Sequence, residues 1–510
     1  MTTISQCAAR LMGLAASFAP LLLFLSCTTA SGRGEAIVVP EVRTIAIVGA
    51  TVIDGTGEAA TDSGVVVISG DRIQAVGSAH DVLVPAGAEV VDAAGRFLLP
   101  GFIDAHAHVA LGPVTIGGTE AGPTMSMALD PEVARRSLRS LLAHGITTIR
   151  DPGGPAEVLV DLRAGVERGE IIGPQMRVAG EVIDQSTFQG LVEVARSPEE
   201  VRAAVRRQAE IGVDIIKLYA SLTPDLLEAG IEEAHAHGLQ AIGHLMATTW
   251  TQAAEMGIDG IVHIIPGSPK LLPEDSVGEL IASMRRGTQF MVRWFELVEY
   301  GAPAMQEAIR AVARNDVILD PTLVFFDALV RGDDSAITRA PELALVAPSL
   351  VENWRGPFQM NPGWTDEDFR RGRLAFPKLL ELARLLHEAG VTLAAGTDAN
   401  NPWIVPGPSF HRELELLVQA GIPPEEVLVI ATANGARAAG LLSDRGTIEV
   451  GKRADLVLVA RDPREGIKAT REILWVMHGG QLFDPDSVLH TITEPTATES
   501  RDARLGGSDD

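Results

Sequence analysis

The stretch Phe102-Ile103-Asp104-Ala105-His106-Ala107-His108 places two histidines directly after an apolar run. That run, residues 96–103, has the composition of a β-strand. Because side chains alternate across a strand with a period of two, His106 and His108 are predicted to lie on the same face. Two neutral imidazoles side by side suit a borderline-soft divalent metal such as zinc. A metal site needs further ligands, and these have to come from downstream.

Downstream of this strand, short apolar runs alternate with amphipathic stretches. The apolar runs cover residues 147–151, 176–178, 215–219, 241–244, 260–263, 317–319 and 393–398. Helical patterns lie between most of them, for example over 131–144, 224–237 and 376–389. Together with the first strand they make eight βα units, the number that closes a TIM barrel, with 287–315 as an insertion before the seventh strand. A doubly wound open sheet is the alternative, but no Gly-x-Gly-x-x-Gly follows the first strand.

Both ends of the chain are rich in short β-like runs. They lie at 45–48, 64–68 and 73–76, with Ser69-Gly70-Asp71 as a hairpin turn, and return at 454–459 and 473–477. We therefore predict an α/β protein in which a (β/α)8 TIM barrel over 99–441 carries a small β-sandwich domain. That domain is expected to be built from both termini, over 44–98 and 442–488.

The first residues have the pattern of a secretory signal peptide. Arg10 precedes an apolar stretch over 11–25 that is shorter than a membrane span and is interrupted by Pro20. The sequence Phe24-Leu25-Ser26-Cys27 is similar to the lipobox of bacterial lipoproteins, which predicts lipidation of Cys27; cleavage a few residues later and an uncleaved anchor are the alternatives. We expect a signal peptide over 1–27, a linker over 28–43 and a disordered tail over 489–510. The protein is therefore expected to be exported, either to the bacterial cell envelope (lipid-anchored or periplasmic) or as a secreted protein.

The composition bounds the chemistry. The 42 basic and 67 acidic residues give a net charge of −25, which argues against nucleic acid as a partner. Only Cys7 and Cys27 occur, both before the folded region, so neither a disulfide framework nor a thiolate metal site is expected. We expect a homo-oligomer that contacts a membrane only through an N-terminal lipid anchor.

Six chemistry-bearing residues mark the predicted strand ends. They are His106 and His108 on the first strand, Lys217 on the fourth, His244 on the fifth, His263 on the sixth and Asp398 on the eighth. In a barrel all of these ends meet at the C-terminal mouth, where catalytic groups converge. A single histidine among them would more often be a satisfied core residue, whereas the ordered set predicts metal binding.

At this point the chain resembles the amidohydrolase superfamily, in its imidazolonepropionase-like and Xaa-Pro dipeptidase-like branch. The matching segments are Pro100-Gly101-Phe102-Ile103-Asp104-Ala105-His106-Ala107-His108, Ile216-Lys217-Leu218-Tyr219, Gly243-His244, Val262-His263, Gly396-Thr397-Asp398-Ala399 and the segment 446–456. The likeness covers about 44–482. It implies that His106, His108 and Asp398 bind one divalent ion, most simply zinc, and that His244 and His263 bind another.

The resemblance also gives Lys217 a role. An ammonium aimed at a divalent ion would be repelled, so the lysine fits a ligand set only when its charge is removed or reversed. In family members with a lysine on the fourth strand it is carbamylated by carbon dioxide and bridges two metals. A lysine paired with Asp398 is the alternative. A single-metal deaminase of the superfamily would not need this residue.

Five further residues are candidate substrate contacts. Tyr219 could hydrogen-bond the substrate or be a packed rim tyrosine, and Trp403 could form an apolar wall. Arg150 and Arg177 could bind a free carboxylate or form structural ion pairs. His411 lies where a helix should begin, and a helix N-terminus favours anions.

The sequence thus predicts a binuclear metal-dependent hydrolase that cleaves an amide C–N bond in a dipeptide or an N-acyl amino acid. A metal-bridging hydroxide would attack the carbonyl, and Asp398 would act as the general base and then the general acid. A serine or cysteine nucleophile is not expected, because no Gly-x-Ser-x-Gly stands at a strand–helix turn. A cyclic amide hydrolase of the imidazolonepropionase type and a catalytically silent surface binding protein are the alternatives.

Overall fold

The computed structural model describes residues 43–119, 122–284 and 287–493. The predicted signal peptide, Cys27, linker residues 28–42 and tail residues 494–510 lie outside the described residues. Within those ranges, no helix is both long and apolar enough to cross a membrane.

The secondary structure alternates strand and helix through the middle of the chain. The strands are β1 Thr44–Val52, β2 Thr61–Ser69, β3 Arg72–Ser78, β4 Glu89–Asp92, β5 Phe97–Pro100, β6 Phe102–Asp104, β7 Val114–Thr119, β8 Gly122–Met127, β9 Ile146–Asp151, β10 Gln175–Val178, β11 Val182–Asp184, β12 Val192–Val194, β13 Ile215–Leu218, β14 Gln240–Gly243, β15 Gly260–Val262, β16 Ile318–Asp320, β17 Leu456–Val459, β18 Ile473–His478 and β19 Gln481–Phe483. The α-helices are α1 Pro131–Ala143, α2 Ala156–Glu167, α3 Pro198–Ile211, α4 Pro224–Ala236, α5 Trp250–Glu255, α6 Val277–Met284, α7 Gln289–Leu297, α8 Pro303–Arg314, α9 Leu323–Val330, α10 Ser335–Thr338, α11 Pro348–Arg355, α12 Asp366–Glu388, α13 Pro408–Gln419, α14 Pro424–Ile430, α15 Ala433–Ala438 and α16 Pro485–Thr493. Short 3₁₀ helices cover Pro269–Leu271, Glu274–Ser276, Pro341–Leu345 and Ile467–Arg471.

Both ends of the chain supply one eight-stranded sheet. Its strand order is β19-β18-β17-β5-β1-β2-β3, and β4 pairs with β1. Strands β2 and β3 form an antiparallel hairpin in which Ser69 faces Arg72, so Gly70 and Asp71 make the turn. Alternate residues of β1, including Ile45 and Ile47, are buried in a core of their own.

The apolar run 96–103 is two strands rather than the single strand that we predicted. Strand β5 pairs with β17 in the eight-stranded sheet, whereas β6 pairs with β9 in a parallel sheet. The break falls at Gly101, where an added Cβ would lie 2.1 Å from the Thr147 hydroxyl oxygen. Glycine fits here because the Thr147 side chain occupies the space that a Cβ would need.

The middle of the chain is α/β with parallel sheets. One sheet has the order β10-β9-β6, and the other has the order β12-β11-β13-β14-β15-β16. Isolated parallel bridges join Ala179 to Ile215, Leu319 to Leu393 and Ala107 to Ala399. The predicted strand at 393–398 therefore has a bridge at its first residue and another just after its last residue, without forming a regular strand. Helices packed against these strands bury the main apolar core.

Several segments depart from the predicted pattern, among them strands β11 and β12, which were not predicted. The β7–β8 hairpin follows His108, and α9, α10 and α11 follow β16; neither excursion was predicted. The predicted insertion at 287–315 contains α7 and α8. Residues 489–493, which we predicted as the start of a disordered tail, belong to α16, because Val488 and Ile492 anchor that helix by burial.

Candidate metal centre

The six predicted ligand residues come together at the carboxyl ends of the parallel strands. His106 and His108 follow β6, His244 follows β14, and His263 follows β15. Lys217 lies in β13, and Asp398 follows the bridge-forming segment at 393. His106, Lys217, His263 and Asp398 are buried, whereas His108 and His244 are partly exposed.

The tightest part of this cluster is His106, His108 and Asp398. One ligand atom from each lies within 4.8 Å of the other two, a spacing that can hold a metal ion. The Nε2 atoms of both histidines are 3.3 Å from Asp398 Oδ1. Carboxylate oxygen and imidazole nitrogen are ligands that zinc and related divalent ions accept.

The ring protons of His106 and His108 are placed by contacts on the far side of each ring. His106 Nδ1 lies 2.7 Å from Asp320 Oδ1, and His108 Nδ1 lies 2.9 Å from the Gly153 carbonyl oxygen. An ionised Asp320 carboxylate and the Gly153 carbonyl can only accept hydrogen bonds, so each Nδ1 carries the proton. A neutral ring then has no proton on Nε2. A bare nitrogen facing a carboxylate oxygen at 3.3 Å is repulsive unless a cation lies between them.

The charges around His106, His108 and Asp398 favour a cation between these side chains. Burial lowers the pKa of His108, but the carboxylates of Asp151 and Asp398 outweigh it and raise that pKa to about 10. Burial alone would also raise the pKa of Asp398, yet the neighbouring histidines hold it well below its usual value. Positive charge is therefore strongly stabilised between these side chains, and a divalent ion meets that demand in place of a proton.

His263, His244 and Lys217 extend the cluster on the other side. The His263 ring centroid is 4.7 Å from those of His106 and His244. Burial lowers the pKa of His244 to about 3 and that of Lys217 to about 7. At neutral pH the neutral form is therefore favoured for His244 and accessible for Lys217, and it is the form that binds metal or reacts with carbon dioxide.

Unpartnered buried atoms fit a ligand between these residues. His106 Nε2 and His244 Nδ1 are buried without a hydrogen-bond partner in the described part of the chain. His263 Nδ1 lies 2.8 Å from the Thr322 hydroxyl and 4.0 Å from Asp398 Oδ2. Buried polar atoms without partners are costly in a native structure, and a bound ion would satisfy them.

The backbone is strained where it presents two of these ligands. His263 and Asp398 have φ values of 65° and 63°, in the left-handed region that non-glycine residues rarely adopt. Thr322, which contacts His263, has a φ of 47°. Such strain persists where the surrounding structure imposes it and is common at functional sites.

Of the predicted substrate contacts, the structure brings Tyr219 next to the cluster. Its ring centroid is 4.8 Å from that of His244, and burial raises the pKa of the phenol, so it stays protonated and can donate. Arg150 also lies beside the cluster, but its guanidinium donates to Asp320 Oδ2 at 2.5 Å and to the carbonyls of Ala105 and Ala438. The structural ion pair, rather than a free carboxylate site, is what the structure shows for Arg150.

The other three predicted contacts have partners within the protein, and a substrate role for them stays a prediction. Arg177 Nη1 forms an ion pair with Asp214 Oδ1 at 2.7 Å. His411 is buried, with Nδ1 at 3.0 Å from the Thr470 hydroxyl and Nε2 at 3.1 Å from the His144 carbonyl. The Trp403 ring packs against Trp354 at 5.9 Å. In all three cases the partner of the side chain lies far away in the sequence.

Asp320 is the residue that sequence reasoning missed. It is fully buried at the end of β16 and contacts both His106 and Arg150. The predicted seventh strand stopped at Leu319, one residue short. An acidic residue at the end of a predicted strand, like the residues at the other five strand ends, was the signal that could have found it.

Comparison with known proteins agrees with this geometry. The model of the amidohydrolase family matches residues 97–284 and 361–483. The chain belongs to the amidohydrolase family. The resemblance predicted from the motifs is thereby confirmed, and membership implies a hydrolase that acts on carbon–nitrogen bonds, in a family that generally uses divalent metal.

Individual amidohydrolase relatives span most of the chain. Imidazolonepropionase of Brevibacillus brevis is 24% identical over 421 residues, which covers 76% of this chain and 81% of that protein. The crystal structure of a Xaa-Pro dipeptidase with bound methionine is similar with a TM-score of 0.63 at 19% identity, covering 86% of this chain and 100% of that one. Bottromycin amidohydrolase gives a TM-score of 0.66 at 23% identity, covering 88% and 90%. At these identities the structural likeness establishes the fold alone.

Proposed function

We propose that this protein is a metal-dependent hydrolase that cleaves an amide C–N bond in a dipeptide or an N-acyl amino acid. The observation that carries the proposal is the triad His106, His108 and Asp398, whose ligand atoms lie within 4.8 Å of one another. The bare Nε2 of a neutral His106 faces Asp398 across 3.3 Å and has no hydrogen-bond partner in the described structure.

We propose that the site holds two divalent ions, most simply zinc. His106, His108 and Asp398 would hold one, and His244 and His263 the other, with Lys217 between them as a carbamate. In favour of the carbamate, Lys217 is buried and its pKa is lowered to about 7. The neutral amine would add to carbon dioxide and release one proton, which reverses the charge at this position.

We also propose that the parallel segments close into the predicted (β/α)8 TIM barrel. The parallel bridges Ala179–Ile215, Leu319–Leu393 and Ala107–Ala399 support this, because they connect each sheet edge to the next segment. A closed barrel would bring all the ligand residues to one mouth.

Asp398 and Tyr219 would each have a separate role in the reaction. When bound, the divalent ions would supply Lewis acidity that polarises the scissile carbonyl and acidifies water. Asp398 would accept the proton of the attacking water and then donate it to the departing nitrogen. Tyr219, protonated and adjacent to His244, would donate a hydrogen bond to the substrate carbonyl oxygen.

A second candidate activity is hydrolysis of a cyclic amide. It is favoured by the curated relatives named imidazolonepropionase, of which that from Brevibacillus brevis covers 76% of this chain. A catalytically silent binding protein is the third possibility, and intact ligand geometry argues against it.

Metal content and a substrate panel separate these possibilities. The purified protein is analysed for bound metal, then assayed on Xaa-Pro dipeptides, Xaa-hydrophobic dipeptides, N-acyl amino acids and a cyclic imidazolone amide. About two equivalents of metal and turnover of a linear amide are expected, with loss of turnover on chelation and recovery with zinc. Turnover of the cyclic amide alone would favour the second activity. Absence of metal and of turnover would refute the hydrolase.

Export is proposed from the signal-like segment. Mass spectrometry of the mature N-terminus tests it: a diacylglyceryl group on Cys27 is expected for a lipid anchor, and a plain cleaved end for a periplasmic or secreted protein. An intact Met1 on protein that stays inside the cell would refute export.

A further inference from the structure

Arg150, Asp320 and His106 form a buried row of charges directly behind the metal centre. Arg150 Nη2 lies 2.5 Å from Asp320 Oδ2, and Asp320 Oδ1 lies 2.7 Å from His106 Nδ1. The side chains of all three are at most 2% exposed. Water therefore cannot compete for these contacts, and a charged pair in such surroundings is strongly held.

Among the described residues, each oxygen of the Asp320 carboxylate accepts one hydrogen bond, Oδ1 from His106 and Oδ2 from Arg150. Because Arg150 holds one oxygen and cannot accept a proton, the other oxygen remains an acceptor for His106 Nδ1. This keeps the His106 proton on Nδ1 and leaves the Nε2 lone pair free on the side of Asp398.

Asp320 also contacts the second half of the centre through its backbone. Its carbonyl oxygen accepts a hydrogen bond from the His263 amide at 2.8 Å. The same Arg150 that holds the Asp320 carboxylate donates to the Ala105 carbonyl at 2.7 Å, in the residue before His106. One ion pair thus determines both the ring proton and the backbone position of a proposed ligand.

We infer that Asp320, held by Arg150, is a positioning residue that sets the tautomer of His106 and aims its Nε2 at the metal. The inference rests on the proposed metal-dependent function and goes beyond it, because Asp320 is itself no ligand. Removing such an outer contact typically weakens metal affinity or activity by about 10–100-fold.

The test is Asp320→Asn, whose amide presents a donor to either Arg150 or His106 and so disrupts the row. The matched control is Asp455→Asn. Asp455 is also buried and lies 3.2 Å from Arg445 Nη1 and 3.1 Å from His478 Nδ1, but its carbonyl accepts a hydrogen bond from Gly101, at the amino end of β6 and away from the ligands. Zinc affinity is measured by competition with a chromophoric chelator, and cobalt-substituted protein gives the visible spectrum of the site.

Asp320→Asn is expected to bind zinc about 10–100-fold more weakly and to change the cobalt spectrum. Asp455→Asn is expected to keep the zinc affinity within about twofold of wild type and to leave the cobalt spectrum unchanged. An Asp320→Asn protein with wild-type affinity and spectrum would overturn the inference and leave the hydrolase proposal standing. A wild-type protein that binds no zinc would overturn both.

If Asp320→Asn fails to fold, the inference is tested on the wild-type zinc protein instead. A low-field ring N–H proton in its NMR spectrum, absent from His106→Asn, is expected for Nδ1–H donating to a buried carboxylate. Its absence from the wild-type spectrum would overturn the inference.

Discussion

Replacing Arg150 by methionine tests whether this arginine is a structural ion-pair partner, as its contacts show, or a substrate contact, as its position at a strand end first suggested. The change removes the guanidinium from Asp320, which lies 2.5 Å away and is fully buried. Breaking a buried pair on one side costs about 3–5 kcal/mol, because an uncompensated charge remains. The Ala105 carbonyl also loses its donor, at a cost of about 1–3 kcal/mol. We expect a total loss of about 4–8 kcal/mol in the free energy of unfolding.

The assay is urea unfolding in the presence of a chelator, so that metal binding does not contribute to the measured stability. Wild type, Arg150→Met, Asp320→Leu and the double variant form a cycle that isolates the pair. The double variant is expected to be more stable than the sum of the single changes predicts, since neither charge of the pair is left buried without its partner. A loss below about 1 kcal/mol in Arg150→Met, with a raised KM instead, would refute the structural role and restore the substrate contact.

Three further changes test the proposed centre and its supports. Asp398→Asn should fold normally and lower kcat by about 10²–10⁴-fold, as expected when a proton shuttle is lost; normal turnover would assign that role to another group. Lys217→Ala should lower the metal content from about two equivalents to about one by elemental analysis, and retention of both ions would contradict the bridge. Glu413 accepts hydrogen bonds from the Leu323 and Val324 amides, but burial outweighs them and raises the pKa of its carboxyl from 4.5 to about 8. Because the folded pKa lies above the unfolded one, wild type should lose stability relative to Glu413→Gln as pH rises from 4.5 to 8, and a pH-independent difference in urea midpoints would argue otherwise.

The ligand residues could be predicted because each one ends a recognisable apolar run. His106, Lys217, His244 and His263 each follow or occupy a short buried strand, so sequence order alone placed them at one edge. Their individual contacts could not be predicted. The partner of His106 is Asp320, more than two hundred residues further along, and no local pattern couples the two.

The protein partners of the predicted substrate contacts could not be read from the sequence. Position at a strand end or helix start indicates where a side chain begins, but not which partner it reaches. Arg177 has Asp214 within 2.7 Å, and the two ring nitrogens of His411 have acceptor or donor groups from Thr470 and His144. Partner choice of this kind depends on tertiary packing, as does the split of the run 96–103 at Gly101.

A single residue, Gly101, connects β5 of the eight-stranded sheet to β6 of the parallel sheet, so these two sheets cannot be separated from one another. Gly101 donates its amide to the Asp455 carbonyl, so the junction is tied to the C-terminal strand as well. Leu99 and Val457, from the small sheet, share one apolar core with Phe102 at the start of the ligand-bearing strand. A chimera that exchanges the terminal sheet between relatives would have to preserve this junction and its core contacts. We expect the two sheets to have been inherited together rather than recombined as modules.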